Sequence, residues 1–242
     1  MDQLLPERLR DVDPYELYRI PEADAASLRV HMVASVDGAA TDEHGRTGAL
    51  GGQADTEIFR VLRALADGIL VGAGTVRVEG YGPHRLRADL RERREADGRS
   101  APAPIVVVSR SLELDYAAPL FTEADVPTVV LTCAASPTGR RREAERAGRV
   151  VVAGEEEVDL VAGLARLRTD HGLAHVVCEG GPTLNVPLFT AGLVDELCIT
   201  FTPRLIGEGP RILHELDRPR GLDLMSLCEE DGELYARYAV TG

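Results

Sequence analysis

The chain contains no tryptophan and no lysine; all 27 of its basic residues are arginine, and aromatic residues make up 4% of its 242 positions. Positive charge is also in short supply: 40 acids against 27 bases leave a formal net charge of −13. A uniformly acidic surface repels phosphate backbones, which disfavours nucleic-acid partners. No apolar run reaches the roughly 18 residues of a membrane span, and the first ten residues lack a signal-peptide core, so a cytoplasmic protein is expected. The four cysteines, Cys133, Cys178, Cys198 and Cys228, have no metal-type spacing and are expected as reduced thiols, Cys178 and Cys198 within apolar runs. His171 and His175 stand four apart, but Gly172 interrupts any helix between them, so no metal site is expected. There is no Gly-x-Ser-x-Gly elbow, no Walker loop and no zinc-deaminase signature. A chain without a strong nucleophile or metal fits chemistry carried by a bound cofactor.

What is present is alternation. Short apolar runs at 28–35, 68–71, 104–109, 128–132, 150–152, 175–178 and 196–202 read as strands. Segments at 55–66, 76–79, 140–148, 159–168 and 184–191 read as helices, with Ile58, Phe59, Leu62 and Leu65 at helical spacing in the first. Residues 222–229 and 234–240 flank Glu230-Asp231-Gly232-Glu233, a hairpin signal. The expected architecture is an α/β fold: a mostly parallel sheet with helices on both faces and an antiparallel C-terminal hairpin. No linker divides the chain. Residues 1–27, with a short helix near 14–18, are expected as an extension and 28–242 as a single domain.

The chemistry concentrates where strands end. Val176-Val177-Cys178 runs into Glu179-Gly180-Gly181-Pro182-Thr183-Leu184, a buried strand, a sharp turn and a helix start. Paired glycines admit close backbone approach, and free amides at a helix start favour an anion. Related corners are Ser35-Val36-Asp37-Gly38, Gly72-Ala73-Gly74-Thr75 and Ser109-Arg110. In a parallel sheet such carboxyl ends share one edge, where open α/β sheets bind ligands. The set suits a dinucleotide, with pyrophosphate on loop amides and a 2′-phosphate on Ser109 and Arg110. Gly72-x-Gly74 lacks the third glycine of the usual dinucleotide fingerprint. Residues 39–52, with Gly45, Gly48, Gly51 and Gly52, suit a lid, and Arg85 or Arg87 suits a substrate phosphate.

Three ordered stretches carry a resemblance over residues 28–240. They are Met32-Val33-Ala34-Ser35-Val36-Asp37-Gly38; Leu62-Arg63-Ala64 leading to Ile69-Leu70-Val71-Gly72-Ala73-Gly74-Thr75-Val76; and Glu179-Gly180-Gly181-Pro182-Thr183-Leu184. The chain resembles the reductase domain of bacterial riboflavin-biosynthesis deaminase–reductases. The resemblance implies a three-layer, dihydrofolate-reductase-like α/β/α fold, a homodimer, and NADPH-dependent reduction of the ribose of 5-amino-6-(5-phosphoribosylamino)uracil. It assigns NADPH to Ala34, Gly72, Ala73, Gly74, Thr75, Glu79, Ser109, Arg110, Gly180, Gly181, Pro182, Thr183 and Leu184. It assigns substrate to Ser35, Thr47, Arg85 and Glu179, and places Asp37 and Glu179 as catalytic acids at the reacting centre. It also implies a cis peptide between Gly180 and Gly181. Three departures stand out: Glu79-Gly80-Tyr81-Gly82-Pro83 replaces an Asp-Pro, the lid tryptophan is missing, and Thr56 replaces an arginine. Two alternatives stay open: a reductase of a pterin such as dihydrofolate, and a non-catalytic NADP-binding protein.

Overall fold

A computed structural model of the chain describes residues 1–20, 25–42, 46–99 and 101–241. Gly45 and His44 of the expected lid lie outside the described residues. The chain forms two compact units, Met1–Leu65 with Val177–Gly242, and Ala66–Val176. No helix among the described residues is long and apolar enough to cross a membrane.

The first unit begins with strand β1 (Asp2–Leu5) and helix α1 (Pro14–Leu17). Asp13 caps α1 by accepting from the Tyr15 amide at 2.9 Å, and Pro14 opens it. Strand β2 (Ser27–Ser35) is buried along its whole length. Helix α2 (Gln53–Leu65) follows the glycine-rich segment and buries Ile58, Val61, Leu62, Ala64 and Leu65. Gly51 and Gly52 precede it at close quarters: a Cβ on Gly51 would sit 2.2 Å from Asp55 Oδ2. The Gly52 amide donates to Glu233 Oε1 at 2.9 Å, which places a carboxylate at the helix start.

The second unit strings β3 (Gly68–Gly72), α3 (Ala73–Glu79), α4 (Ala88–Ala96), β4 (Ile105–Val108), α5 (Pro119–Thr122), β5 (Val129–Thr132), α6 (Thr138–Ala147), β6 (Arg149–Val152) and α7 (Leu160–His171). Its strands pair in parallel, β3 to β4, β4 to β5 and β5 to β6. Asp159 caps α7 through the Ala162 amide at 3.0 Å, and Gly172 stops it at φ 69°. Strand β7 (His175–Cys178) then crosses the unit boundary.

The chain returns to the first unit with α8 (Pro182–Thr190), β8 (Glu196–Thr202), β9 (Gly221–Glu230) and β10 (Glu233–Thr241). β2 and β8 are parallel, β8 pairs antiparallel with β10, and β10 forms the C-terminal hairpin with β9. The expected mixture of parallel strands and an antiparallel hairpin is therefore present. β1, inside a segment read as a polar extension, pairs antiparallel with β9. A buried ion-pair network ties α1 to these strands. Glu196 accepts from Arg29 Nε at 3.1 Å and from Arg237 Nε at 2.8 Å. The same two arginines donate to the Tyr18 and Leu17 carbonyls just past and at the end of α1.

Candidate active site

Parallel pairing builds the first pair of corners. Ser35 stands opposite Thr202, so the turn after β2 and the loop after β8 leave side by side. Ala34, opposite Phe201, is buried in β2. The Gly38 amide donates to Ser35 O at 2.9 Å, and Gly38 takes φ 89° to complete the turn. Asp37, expected as an acid at the reacting centre, is otherwise engaged. Its carboxylate accepts from Ser35 Oγ at 2.5 Å, from the Gly207 amide at 2.6 Å and from the Ile206 amide at 3.2 Å. These bonds, the Ser35 hydroxyl first among them, hold its pKa down at about 2. With that pKa the group is ionised at neutral pH.

Glu179 follows β7 and is buried. Arg63, at the end of α2, reaches it in a fork: Nε to Oε1 at 2.6 Å and Nη2 to Oε2 at 2.7 Å. The guanidinium also lies 4.1 Å from the Phe59 ring centre, so its planar face is covered as well. Arg63 occurs in the resembling stretch but was not expected at the site; its partner lies 116 residues away in sequence. His31 stands close by, its Nε2 3.7 Å from Asp55 Oδ1, and neither atom has a hydrogen-bond partner among the described residues. Burial lowers the His31 pKa, against the pull of Asp55 and Glu179 and with that of Arg63. The ring is neutral at pH 7.

The double-glycine corner comes next. Gly180 takes φ 79°, and a Cβ there would meet Met32 Sδ at 2.7 Å, so only glycine fits without displacement. Its amide donates to Cys178 Sγ at 3.4 Å. Burial pushes the Cys178 thiol up to about 12, which leaves it inert as a nucleophile. The Gly180–Gly181 bond is not cis: the cis bond among the described residues is Leu5–Pro6, and the positive φ of Gly180 makes the turn instead. Gly181 starts α8 without a side-chain cap, and Pro182 occupies its first turn with Thr183 and Leu184. Asn185 Nδ2 donates to Ile212 O at 3.1 Å and steadies the helix against the loop after β8.

Thr47 is half-buried, its carbonyl accepting from the Leu50 amide at 3.0 Å. Arg204 Nη1 donates to Ala49 O at 2.9 Å, joining the loop after β8 to the same glycine-rich segment.

The second unit carries its own corners. Gly72 pairs with Val108, so Gly72-Ala73-Gly74-Thr75 and Ser109-Arg110 leave adjacent strands together. Gly72 starts α3 without a side-chain cap, and nothing lies within 4 Å of a Cβ built on Gly74. Glu79 sits at the other end of α3, about 10 Å along the helix. Ser109 is buried and its Oγ accepts from the Leu112 amide at 3.0 Å. Arg110 is exposed, donating to Glu156 O at 2.9 Å and lying 3.3 Å from Glu157. Arg85, expected to hold a phosphate, is engaged with Asp125 and with Glu123 O at 2.5 Å. Arg87 is paired with Asp89 at 2.5 Å.

Each unit, taken by itself, has a helix start introduced by glycine and without a side-chain cap, and the backbone amides of such starts favour an anion.

Residues 26–233 match the model of the RibD C-terminal domain family. The chain is 35% identical over 179 residues to the 2,5-diamino-6-ribosylamino-4(3H)-pyrimidinone 5′-phosphate reductase of Archaeoglobus fulgidus, covering 74% of this chain and 80% of that protein. It is 34% identical over 160 residues to the protein of the same name from Methanothermobacter thermautotrophicus, covering 65% and 69%. Among solved structures it is similar to a pyrimidine reductase-like protein from Corynebacterium diphtheriae, with a TM-score of 0.85, 27% identity, and 96% and 100% of the two chains covered.

Proposed function

The chain belongs to the RibD C-terminal domain family, and from that premise we propose that it is an NADPH-dependent reductase of a 5′-phosphorylated ribosylaminopyrimidine in riboflavin biosynthesis. The observation that carries the reading is the buried Glu179 carboxylate, fixed in the Arg63 fork immediately before the uncapped start of α8. A fixed acceptor at such a place orients a substrate rich in N–H and O–H donors. When bound, the cofactor supplies hydride to C1 of the opened ribose, which is an imine, and the sugar becomes a ribityl chain.

The residues of this chain bind and orient. The Gly181, Thr183 and Leu184 backbone of the first unit suits a cofactor phosphate, and, taken separately, so does the Gly72, Ala73, Gly74 and Thr75 corner of the second. Ser109 and Arg110 support NADPH over NADH. Arg110 is exposed, held by the Glu156 carbonyl and a surface pair with Glu157, and exposed contacts of this kind are weak enough to yield to a phosphate. Glu179 is assigned to the substrate; Ser35, fully buried with its hydroxyl engaged with Asp37 and the Ala39 amide, serves the turn beside it.

Complementation tests the pathway assignment. The gene is expected to restore growth of a strain lacking the riboflavin reductase and to leave a dihydrofolate-reductase-deficient strain unrescued. The reverse pattern overturns the proposal in favour of a pterin substrate.

A homodimer is proposed alongside. Leu222 and Leu224 are exposed two residues apart on β9, with exposed Met225 beside them, and clustered exposed apolar side chains are of the kind that marks an interface. Light scattering is expected to give twice the 26.1 kDa chain mass; a monomer at micromolar concentration contradicts it.

A further inference from the structure

The loop after β8 is attached to the turn after β2 at three levels. At its start the Val36 amide donates to Arg204 O at 3.1 Å. At its end the Ala40 amide donates to Pro210 O at 2.7 Å, and Ala39 bridges Arg211. Between these, the apex carries Gly207 at φ 87° and Gly209 at φ 152°, backbone with little preference of its own. The Ile206 and Gly207 amides at that apex both donate to Asp37, whose carboxylate also accepts from Ser35 Oγ. One side chain therefore gathers two amides 169 and 170 residues away in sequence.

The loop carries two arginines. Arg204 is spent on Ala49 O. Arg211 is exposed, and its guanidinium has no acid or carbonyl partner among the described residues. Its guanidinium lies beside the Asp37-Gly38 turn, where a Cβ on Gly38 would be 3.7 Å from Nη1. An unspent guanidinium beside a site for a phosphorylated sugar matches a phosphate dianion in charge and in donor geometry.

We propose that Asp37 is a positioning residue: it clasps residues 203–211 against the turn after β2 and so presents Arg211 to the 5′-phosphate of the substrate. The clasp stands on geometry alone; the identity of the phosphate rests on the proposed function. The low pKa of Asp37 agrees with it, since an ionised carboxylate accepts from amides and leaves only about one molecule in 10⁵ protonated at pH 7.

Amide hydrogen exchange and ligand binding test the two halves separately. In Asp37→Ala, exchange at Ile206 and Gly207 is expected to accelerate about tenfold or more, with a smaller rise in Asp37→Asn. Calorimetry with ribose 5-phosphate is expected to show binding weakened about tenfold in Arg211→Ala and in both Asp37 variants. With the phosphorylated ribosylaminopyrimidine, Arg211→Ala and Asp37→Asn are expected to raise the substrate KM about tenfold, to keep kcat within about threefold, and to leave the NADPH KM unmoved. Unchanged exchange in Asp37→Ala removes the clasp. A collapse of kcat in Asp37→Asn at unchanged KM makes Asp37 a proton donor after all. A shift confined to the NADPH KM gives Arg211 to the cofactor. A parent chain that turns over no ribosylaminopyrimidine refutes the proposed function, while exchange and ribose 5-phosphate binding still decide the clasp and the phosphate.

Discussion

Arg63 spends two guanidinium donors on Glu179 and has one face on Phe59, so the pair is rigid before any ligand arrives. That rigidity makes Glu179→Gln a sharp test. The amide keeps one acceptor, turns a donor toward Arg63 and removes the charge. We expect kcat/KM to fall by about 10–100-fold, the worth of a charge-assisted hydrogen bond, in steady-state assays. Turnover equal to the parent's contradicts the placement of Glu179. Gly180→Ala probes the next residue. Its φ of 79° and the 2.7 Å approach to Met32 Sδ predict about 1–3 kcal/mol of destabilisation in urea unfolding. The sharp turn at both positions was legible in the sequence, because an acid followed by two glycines at a strand end marks a corner that side chains would obstruct. Arg63 was not legible as a site residue, since its role comes from a partner on a distant strand. Asp37 was legible as a corner residue but not in its role, which depends on two backbone amides that carry no sequence signal. Arg85 was read as suited to a substrate phosphate, and nothing local announces Asp125 as its partner.

Strands and helices were legible wherever apolar spacing marked them, as in β2, β7, β8 and the C-terminal hairpin. β1 was not, because Asp2–Leu5 is four residues long and its identity as a strand is conferred by β9. The segment it belongs to is anchored through Glu196. Replacing Glu196 by alanine leaves Arg29 and Arg237 buried without their counter-charge, and a loss of about 3–5 kcal/mol is expected in chemical unfolding. Burial pushes the Glu196 pKa up, but the Arg237 hydrogen bonds and the two arginine charges outweigh it and leave the pKa below its ordinary 4.5. Its contribution to stability is therefore complete above that value and fades as pH falls beyond it. His31, between β2 and α2, acts in a different window. Its folded pKa lies below the ordinary 6.5, so the unfolded chain takes up the proton first. Melting temperature is expected to stay flat from pH 8 to about 6.5 and to decline between about 6.5 and 5, before carboxylates titrate. His31→Gln is expected to flatten that decline; an unchanged slope contradicts the assignment.

At the scale of the molecule, each unit repeats one device, a glycine corner that opens a helix without a side-chain cap. The device lets a chain of net charge −13 favour an anion locally: the positive ends are backbone amides and helix dipoles, which composition does not count. Composition and spacing locate the corners, whereas the pyrimidine that enters is chosen by side-chain positions set by tertiary contacts. The decisive measurement is oxidation of NADPH by the purified chain, followed by loss of the reduced nicotinamide absorbance, with the 5′-phosphorylated ribosylaminopyrimidine as substrate and dihydrofolate as control. The account predicts stoichiometric NADPH loss with a ribityl product two hydrogens heavier by mass spectrometry, and little or none with dihydrofolate. NADPH that binds but is never consumed with the pyrimidine, or is consumed only with dihydrofolate, contradicts it.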